Sequence, residues 1–325
     1  MYKEEEQMSG KLVSIVVPCY NEQETLEILY QELNKVTKEL DAYDFEYLFV
    51  NDGSKDETQA EMKRLASLDA RVKYISFSRN FGKEAALLAG LAHARGEYIA
   101  TMDADLQDPP SLLPQMLAEM ETGEYDNVAS RRVTRKGEPF IRSACARSFY
   151  RWMRRMTKIE IADGARDYRL MSRQMVDSIL AMSEYNRFSK GIFAWVGYRT
   201  KWVEFENVER VAGETKWSFW QLVHYSFEGI VNFSNAPLMF SSYFGLLLTV
   251  VAFIAIIFIV VRALIFGDPV AGWPSTVCII TFIGGIQLFC MGIMGQYISK
   301  TYMEVKNRPH YIIRETNIEE ARMNS

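Results

Sequence analysis

The 325-residue chain is short of the residues that build most metal and redox centres. Its three histidines, His93, His224 and His310, are too scattered for any usual zinc spacing. Its four cysteines, Cys19, Cys145, Cys278 and Cys290, form no CxxC pair, and two fall in long apolar runs. They read as reduced, structural thiols. Basic residues are not in excess, and a net charge of -4 argues against a general nucleic-acid binder. The acidic start, MYKEEEQMSGK, has no apolar core, so no signal peptide is read there and the soluble part is expected to stay in the cytoplasm. No GxGxxG opens the first helical pattern, and no GxxxxGK followed by Ser or Thr occurs. These absences disfavour a dinucleotide-binding domain and a P-loop NTPase.

Charge is also missing from two long stretches near the C-terminus. Residues 238–261, LMFSSYFGLLLTVVAFIAIIFIVV, carry none. At about 1.5 Å per residue that run is long enough to cross a hydrocarbon core of about 30 Å. A second uncharged run covers residues 270–299. The loop between them, FGDPVAGWPS, has Asp268 but no Lys or Arg, whereas Lys216, Lys300, Lys306, Arg308 and Arg314 flank the other ends. The positive-inside rule then puts both termini in the cytoplasm and the loop outside. A pair of buried core helices is the alternative reading. Two spans make a hairpin anchor and are too few for a transport pathway alone.

The first 130 or so residues alternate two patterns. LVSIVV (12–17), FEYLFV (45–50), VKYISF (72–77) and EYIATM (97–102) are rich in β-branched and aromatic residues, as buried strands are. Between them, Leu26, Leu29, Leu33, Val36 and Leu40 recur at helical spacing. A second helix is expected after Asp56 and a third over residues 82–94. Strand–helix alternation implies an α/β fold with a mainly parallel sheet, whose ligands bind beyond the carboxyl ends of the strands. The polar clusters PCYNE, NDGSKD, SRNFGKE and DADLQDPP all fall at that edge.

DADLQD puts Asp103, Asp105 and Gln107 at alternate positions. If extended, the segment turns all three toward one site. Oxygen-only donors suit Mg2+ or Mn2+, which complete their shells with phosphate oxygens and neutralise a diphosphate leaving group. A solvated acidic loop before the helix begun by Pro109 and Pro110 is the competing reading.

VPCYNE, VNDGSKDET, SRNFGKEAALLAG and MDADLQDPP together resemble the family-2 glycosyltransferases of GT-A fold. SRRVTRKGEPF, ARSFYRWMRR, RDYRLMSR, NRFSKGIFAWVGYR and RVAGETKWSF, followed by two spans, resemble the bactoprenol-phosphate and dolichol-phosphate members. The likeness runs from about Ser14 to about Ile298. It implies that Pro18, Tyr20, Glu22 and Asp52 hold the nucleoside, with Lys83 and Asp103 also on the nucleotide-sugar. It further implies that Asp103, Asp105 and Gln107 hold the Mg2+ or Mn2+ and the diphosphate, and that Asp105 and Asp167 are catalytic. Arg131 and Arg132, with Arg147 and Arg151, would grip the acceptor phosphate. Relatives often read TGDFRL where this chain has ARDYRL, so Ala165 and Arg166 change the surroundings of Asp167. A salt bridge from Asp167 to Arg166 or Arg169 is the structural alternative to a catalytic role. A phosphate monoester is already largely anionic at neutral pH, so Asp167 is expected to orient groups more than to remove a proton.

Arg147, Arg151, Arg154, Arg155 and Lys158 share one helical face of residues 140–158, with Phe149, Trp152 and Met156 on another. Such a helix suits a membrane interface and a lipid phosphate, or else is a solvated face. Aromatics crowd residues 216–234 in the same way, at headgroup depth or under the soluble domain. The expected organisation is an N-terminal tail (1–11), a cytoplasmic GT-A catalytic domain (12–210) and an interfacial segment (211–236). A transmembrane hairpin (237–299, spans near 238–264 and 275–298) and a cytoplasmic C-terminal tail (300–325) complete it. The activity implied is inverting transfer of a hexose, glucose or N-acetylglucosamine first, from a UDP-sugar to undecaprenyl phosphate at the inner membrane. GDP-mannose use and a catalytically silent scaffold stay as alternatives, and a processive synthase is disfavoured by the missing QxxRW-type signature. Glycines at 284, 285, 292 and 295 would let spans pack closely, and the resemblance implies a homo-oligomer, with a tetramer as the form it suggests.

Overall fold

The computed structural model describes residues 10–132, 164–205, 236–266 and 272–319. The chain divides into two compact units, Met1–Val223 with Pro309–Ser325, and His224–Arg308.

The first unit is built on an eight-stranded sheet of order β7-β5-β6-β4-β1-β2-β3-β8. Strands β1 (Lys11–Cys19), β2 (Tyr43–Asn51), β3 (Val72–Phe77) and β4 (Tyr98–Thr101) run parallel. Val13, Ile15, Val16 and Val17 of β1 are all fully buried, which is why that strand reads as an unbroken apolar run. Helices α1 (Leu26–Thr37), α2 (Thr58–Leu68) and α3 (Lys83–His93) make the crossovers. Helix α1 buries Leu26, Leu29 and Leu33 on one face. Asp56 takes the α2 end, its Oδ1 accepting from the Thr58 backbone N–H at 3.2 Å. Helix α3 lies so close to the sheet that a Cβ on Gly90 would meet Val16 Cγ1 at 2.1 Å. Only glycine permits that approach.

Helix α4 (Leu113–Glu121) follows β4, and then the sheet turns mixed. Strand β5 (Asn127–Arg132) pairs antiparallel with β6 (Ala165–Ser172), which is itself antiparallel to β4. Ser172 caps α5 (Arg173–Leu180), accepting from the Met175 N–H, and α6 (Ser189–Trp195) leads to β7 (Thr200–Phe205), parallel to β5. The sheet is thus mainly parallel, as expected. Its strand order reverses between β1 and β4, the place where such sheets open a crevice.

The second unit holds α7 (Ala236–Phe266) and α8 (Trp273–Lys306), of 31 and 34 residues, both long and apolar enough to cross a membrane. Leu246, Phe253, Phe258, Phe282 and Leu288 lie exposed on them. Asn307, in the left-handed region at φ 44°, ends α8.

Residues 300–325 were expected as a tail, yet part of them belongs to the sheet. Strand β8 (Ile313–Thr316) pairs antiparallel with β3. Tyr311 stacks on Phe77 with centroids 5.0 Å apart. Asn317 closes both sides of the β3 backbone, accepting from Tyr74 N–H at 2.8 Å and donating to Val72 O at 3.1 Å. A four-residue strand carries too little periodicity to be read from sequence, and its partner is more than two hundred residues away. The basic segment 140–158 and the aromatic segment 216–234 lie outside the described residues.

Candidate active site

The loops after β1 and β2 are laced by their own polar side chains. Asn21 donates its N–H to Ser54 Oγ at 3.0 Å, and its Oδ1 accepts from Lys55 N–H at 2.9 Å. Glu22 N–H donates to Thr58 Oγ1 at 2.9 Å. Asp52 ties in the start of α3, its Oδ1 accepting from Phe81 N–H at 2.6 Å and its Oδ2 from Gly82 N–H at 3.0 Å. Burial raises the Asp52 pKa against those two bonds.

These loops and the turn after β4 enclose a cleft of about 300 Å³ at the reversal of strand order. Pro18, Tyr20, Glu22, Asp52, Lys83, Asp103 and Asp105 all line it, with Asn80. Seven of the residues singled out in the sequence therefore share one cavity. The segment carrying the acidic pair departs from expectation in one respect. It is a turn and not an extended run, with Leu106 at φ 57°. Side chains still alternate, since Met102, Ala104 and Leu106 are buried while Asp103, Asp105 and Gln107 are half-buried. Gln107 does not line the cleft. Its Oε1 accepts from Arg166 Nη2 at 3.0 Å.

Among the described residues no group of three His, Cys, Asp or Glu side chains stands ready as a metal cage. Two carboxylates on one cleft wall are nevertheless the donor set with which Mg2+ or Mn2+ is held when phosphate oxygens complete the shell. Asp103 and Asp105 fit that ion.

Asp167, on β6, is 18% exposed and lies between two ammonium groups. Lys83 Nζ is 2.5 Å from its Oδ2, and Lys190 Nζ is 3.7 Å from its Oδ1. Lys83 also reaches Asp103 Oδ1 at 2.6 Å. Burial alone would raise the Asp167 pKa, but Lys190 and Lys83 hold it well below the usual carboxylate range. Lys83 is raised in turn, its own burial outweighed by Asp103 and Asp167. The two lysines are held in place by their neighbours in sequence. Glu84 on α3 accepts from both the backbone N–H (2.9 Å) and the hydroxyl of Ser189, clamping α6 to α3. Asp167 therefore pairs with lysines, and the alternative salt bridge to Arg166 or Arg169 does not form.

Arg166 points elsewhere, as the adjacent residue of a strand should. Its Nε donates to Asp108 Oδ1 at 2.8 Å. Burial pushes Asp108 up to about 6 despite the guanidinium. Arg169 is buried, its guanidinium 3.8 Å from the Phe193 ring centroid, and burial pushes its pKa down to about 10. It lines a second cleft of about 280 Å³ with Lys190, Phe193, Tyr198 and Trp202. Lys190 was not singled out from the sequence. The only signal was its place in NRFSKGIF.

Arg131 and Arg132 end β5 at the same carboxyl edge as β4, but they do not line the first cleft. Arg131 Nη1 lies 3.9 Å from Glu204, and Arg132 N–H donates to Gly164 O at 3.0 Å. Arg147 and Arg151 lie outside the described residues.

Comparison with known proteins bears on this geometry. CsbB of Bacillus subtilis (strain 168), provisionally named a glycosyltransferase, is 45% identical over 96% of this chain and 94% of its own. A prophage bactoprenol glucosyl transferase homolog of Escherichia coli (strain K12) is 42% identical, covering 93% of this chain and 98% of its own. Glucosyl-3-phosphoglycerate synthase of Mycobacterium tuberculosis, solved with Mn2+, UDP-glucose and phosphoglyceric acid, superposes with a TM-score of 0.48 at 21% identity. That superposition covers 68% of this chain and 78% of the other. The glycosyl transferase family 2 profile matches residues 14–180, which span both Asp103 and Asp167. On that match and on relatives aligned along nearly their whole length, the chain belongs to glycosyl transferase family 2 and has its GT-A fold.

Proposed function

We propose that the chain moves one hexose, glucose or N-acetylglucosamine, from a UDP-sugar to undecaprenyl phosphate, inverting the anomeric centre. The reaction would take place at the cytoplasmic face of the membrane that α7 and α8 cross. Relatives named as bactoprenol glucosyl transferases support the acceptor class. The observation that carries the reading is the row Asp103–Lys83–Asp167–Lys190, at 2.6, 2.5 and 3.7 Å, which runs from the cleft to Asp167.

In this reading an acceptor phosphate oxygen attacks the anomeric carbon. The bond from that carbon to the diphosphate breaks, and the electron pair leaves with UDP. Asp103 and Asp105 would hold a Mg2+ or Mn2+ ion, which would neutralise charge on the diphosphate. Pro18, Tyr20, Glu22 and Asp52 bound the nucleoside end. Lys83 lines the same cleft and would face the sugar and diphosphate. Asp167, kept ionised by two lysines, is a weak base, and the acceptor phosphate needs little deprotonation. It orients groups at the reacting carbon. Rate then comes chiefly from in-line positioning and charge neutralisation.

The test is incubation of membranes holding the chain with undecaprenyl phosphate, Mn2+ or Mg2+, and a panel of labelled UDP- and GDP-sugars. Label extracted into organic solvent from one UDP-sugar, lost on chelation and in Asp105→Ala, is expected. Label from GDP-mannose alone would replace the donor. No lipid-soluble label from any donor would sink the acceptor assignment and favour a silent scaffold.

A further inference from the structure

Arg166, on β6, makes contacts that only a long side chain at this position can make. Its guanidinium forks onto two successive side chains of the acidic turn, Nε to Asp108 Oδ1 at 2.8 Å and Nη2 to Gln107 Oε1 at 3.0 Å. The fork suits arginine's planar donor array. Gln107 in turn acts on the cleft, because its backbone N–H donates to Asp105 Oδ1 at 3.2 Å. The turn between them is one that leucine adopts reluctantly, Leu106 lying at φ 57°. A left-handed leucine persists only where its surroundings over-determine it. The far end of the link is also fixed. Asp108 is fully buried, with Oδ2 lacking any partner among the described residues, so the guanidinium is its one evident counter-charge there. The Arg166 carbonyl accepts from buried Arg169 Nη2 at 3.2 Å, which anchors the strand beneath.

We propose that Arg166 is a positioning residue for the nucleotide-diphosphate–metal site, acting through Gln107 on Asp105. The inference rests on the proposed nucleotide–metal reading of the cleft. Gln107 Oε1 already accepts from the guanidinium, so among the described residues the carboxylates that line the cleft nearest the ion are those of Asp103 and Asp105. The diphosphate must then supply much of the remaining shell, and the ion binds weakly until UDP is present.

Mn2+ uptake by the detergent-solubilised full chain, followed by electron paramagnetic resonance with and without UDP, tests this apart from turnover. Wild type is expected to bind Mn2+ much more tightly with UDP. Arg166→Gly is expected to weaken Mn2+ binding with UDP by about 10- to 100-fold, the range for residues that hold a ligand in place. Gln107→Ala is expected to weaken it comparably, with no further loss in the double variant. Arg166→Lys keeps a charge beside Asp108 but cannot fork, so it guards against a folding defect and is expected to give an intermediate loss. Unchanged or tighter Mn2+ binding in folded Arg166→Gly or Arg166→Lys would overturn the proposal, as would additive losses with Gln107→Ala. Wild type that takes up no Mn2+ even with UDP would refute the nucleotide–metal reading, and this inference with it.

Discussion

Replacing Lys83 by methionine keeps the length of the stem and removes the charge between two carboxylates. The ammonium lies 2.6 Å from Asp103 and 2.5 Å from Asp167. A sheltered hydrogen bond to a charged group contributes about 1.5–3 kcal/mol. Lys83 is 44% exposed, so solvent screening keeps each bond at or below the lower figure. Together they amount to about 2–3 kcal/mol, or roughly 30- to 150-fold in kcat/KM. The pH dependence should move as well. Asp167 is depressed by the lysines, so its ionised form, and the stability it brings, are retained well into acid and lost as pH falls through the native pKa. Without Lys83 that pKa climbs toward the ordinary value, and the acid limb of kcat/KM shifts to higher pH. The assay is sugar transfer to undecaprenyl phosphate by solubilised wild type and Lys83→Met from mildly acidic to neutral pH. An unchanged kcat/KM with an unmoved acid limb would refute the coupling of Lys83 to both carboxylates.

Other consequences can be checked on the folded chain. Asp108, raised from 3.8 to about 6, binds a proton more tightly when folded, so its contribution to stability is full below 3.8 and lost as pH rises through about 6. Asp108→Asn should flatten that part of the thermal-unfolding profile, and an identical slope would contradict the assignment. Gly90→Ala should cost about 1–3 kcal/mol by forcing α3 off β1, read by denaturant unfolding, with equal stability as the contrary result. Tyr311→Ala should lose about 0.5–1.5 kcal/mol of ring stacking on Phe77 and speed amide exchange in β8. Unaltered exchange there would show that the stack does not hold the strand.

The parallel half of the fold was legible because its strands are buried on both faces and so read as unbroken apolar runs. Strand β6 was not, since RDYRL looks like a charged motif. Only alternate residues, Tyr168 and Leu170, join the main core, while Asp167 and Arg169 face the other side and take their partners from α3 and α6. At the site, the cleft residues were readable because each lies at or beyond the carboxyl end of a parallel strand. The lysine pair was half hidden. Lys190 acquires meaning only when Glu84 and Ser189 bring α6 against α3, a contact between residues 105 positions apart. The Arg166–Asp108 pair, 58 positions apart, was visible only as a departure at Arg166 from the family pattern.

Strand β8 bears on how the chain can be threaded through a bilayer. Whatever compartment holds β3 must also hold β8, because the two share hydrogen bonds from Ile75–Thr316 to Phe77–Ile313. The polypeptide leaving β7 at Phe205 and rejoining the sheet at Ile313 has to cross an even number of times or none. Parity, which loop charge only biases, is thus written into the sheet itself. If α7 and α8 both cross, a variant lacking one of them would have to give up either its membrane orientation or the edge of its sheet.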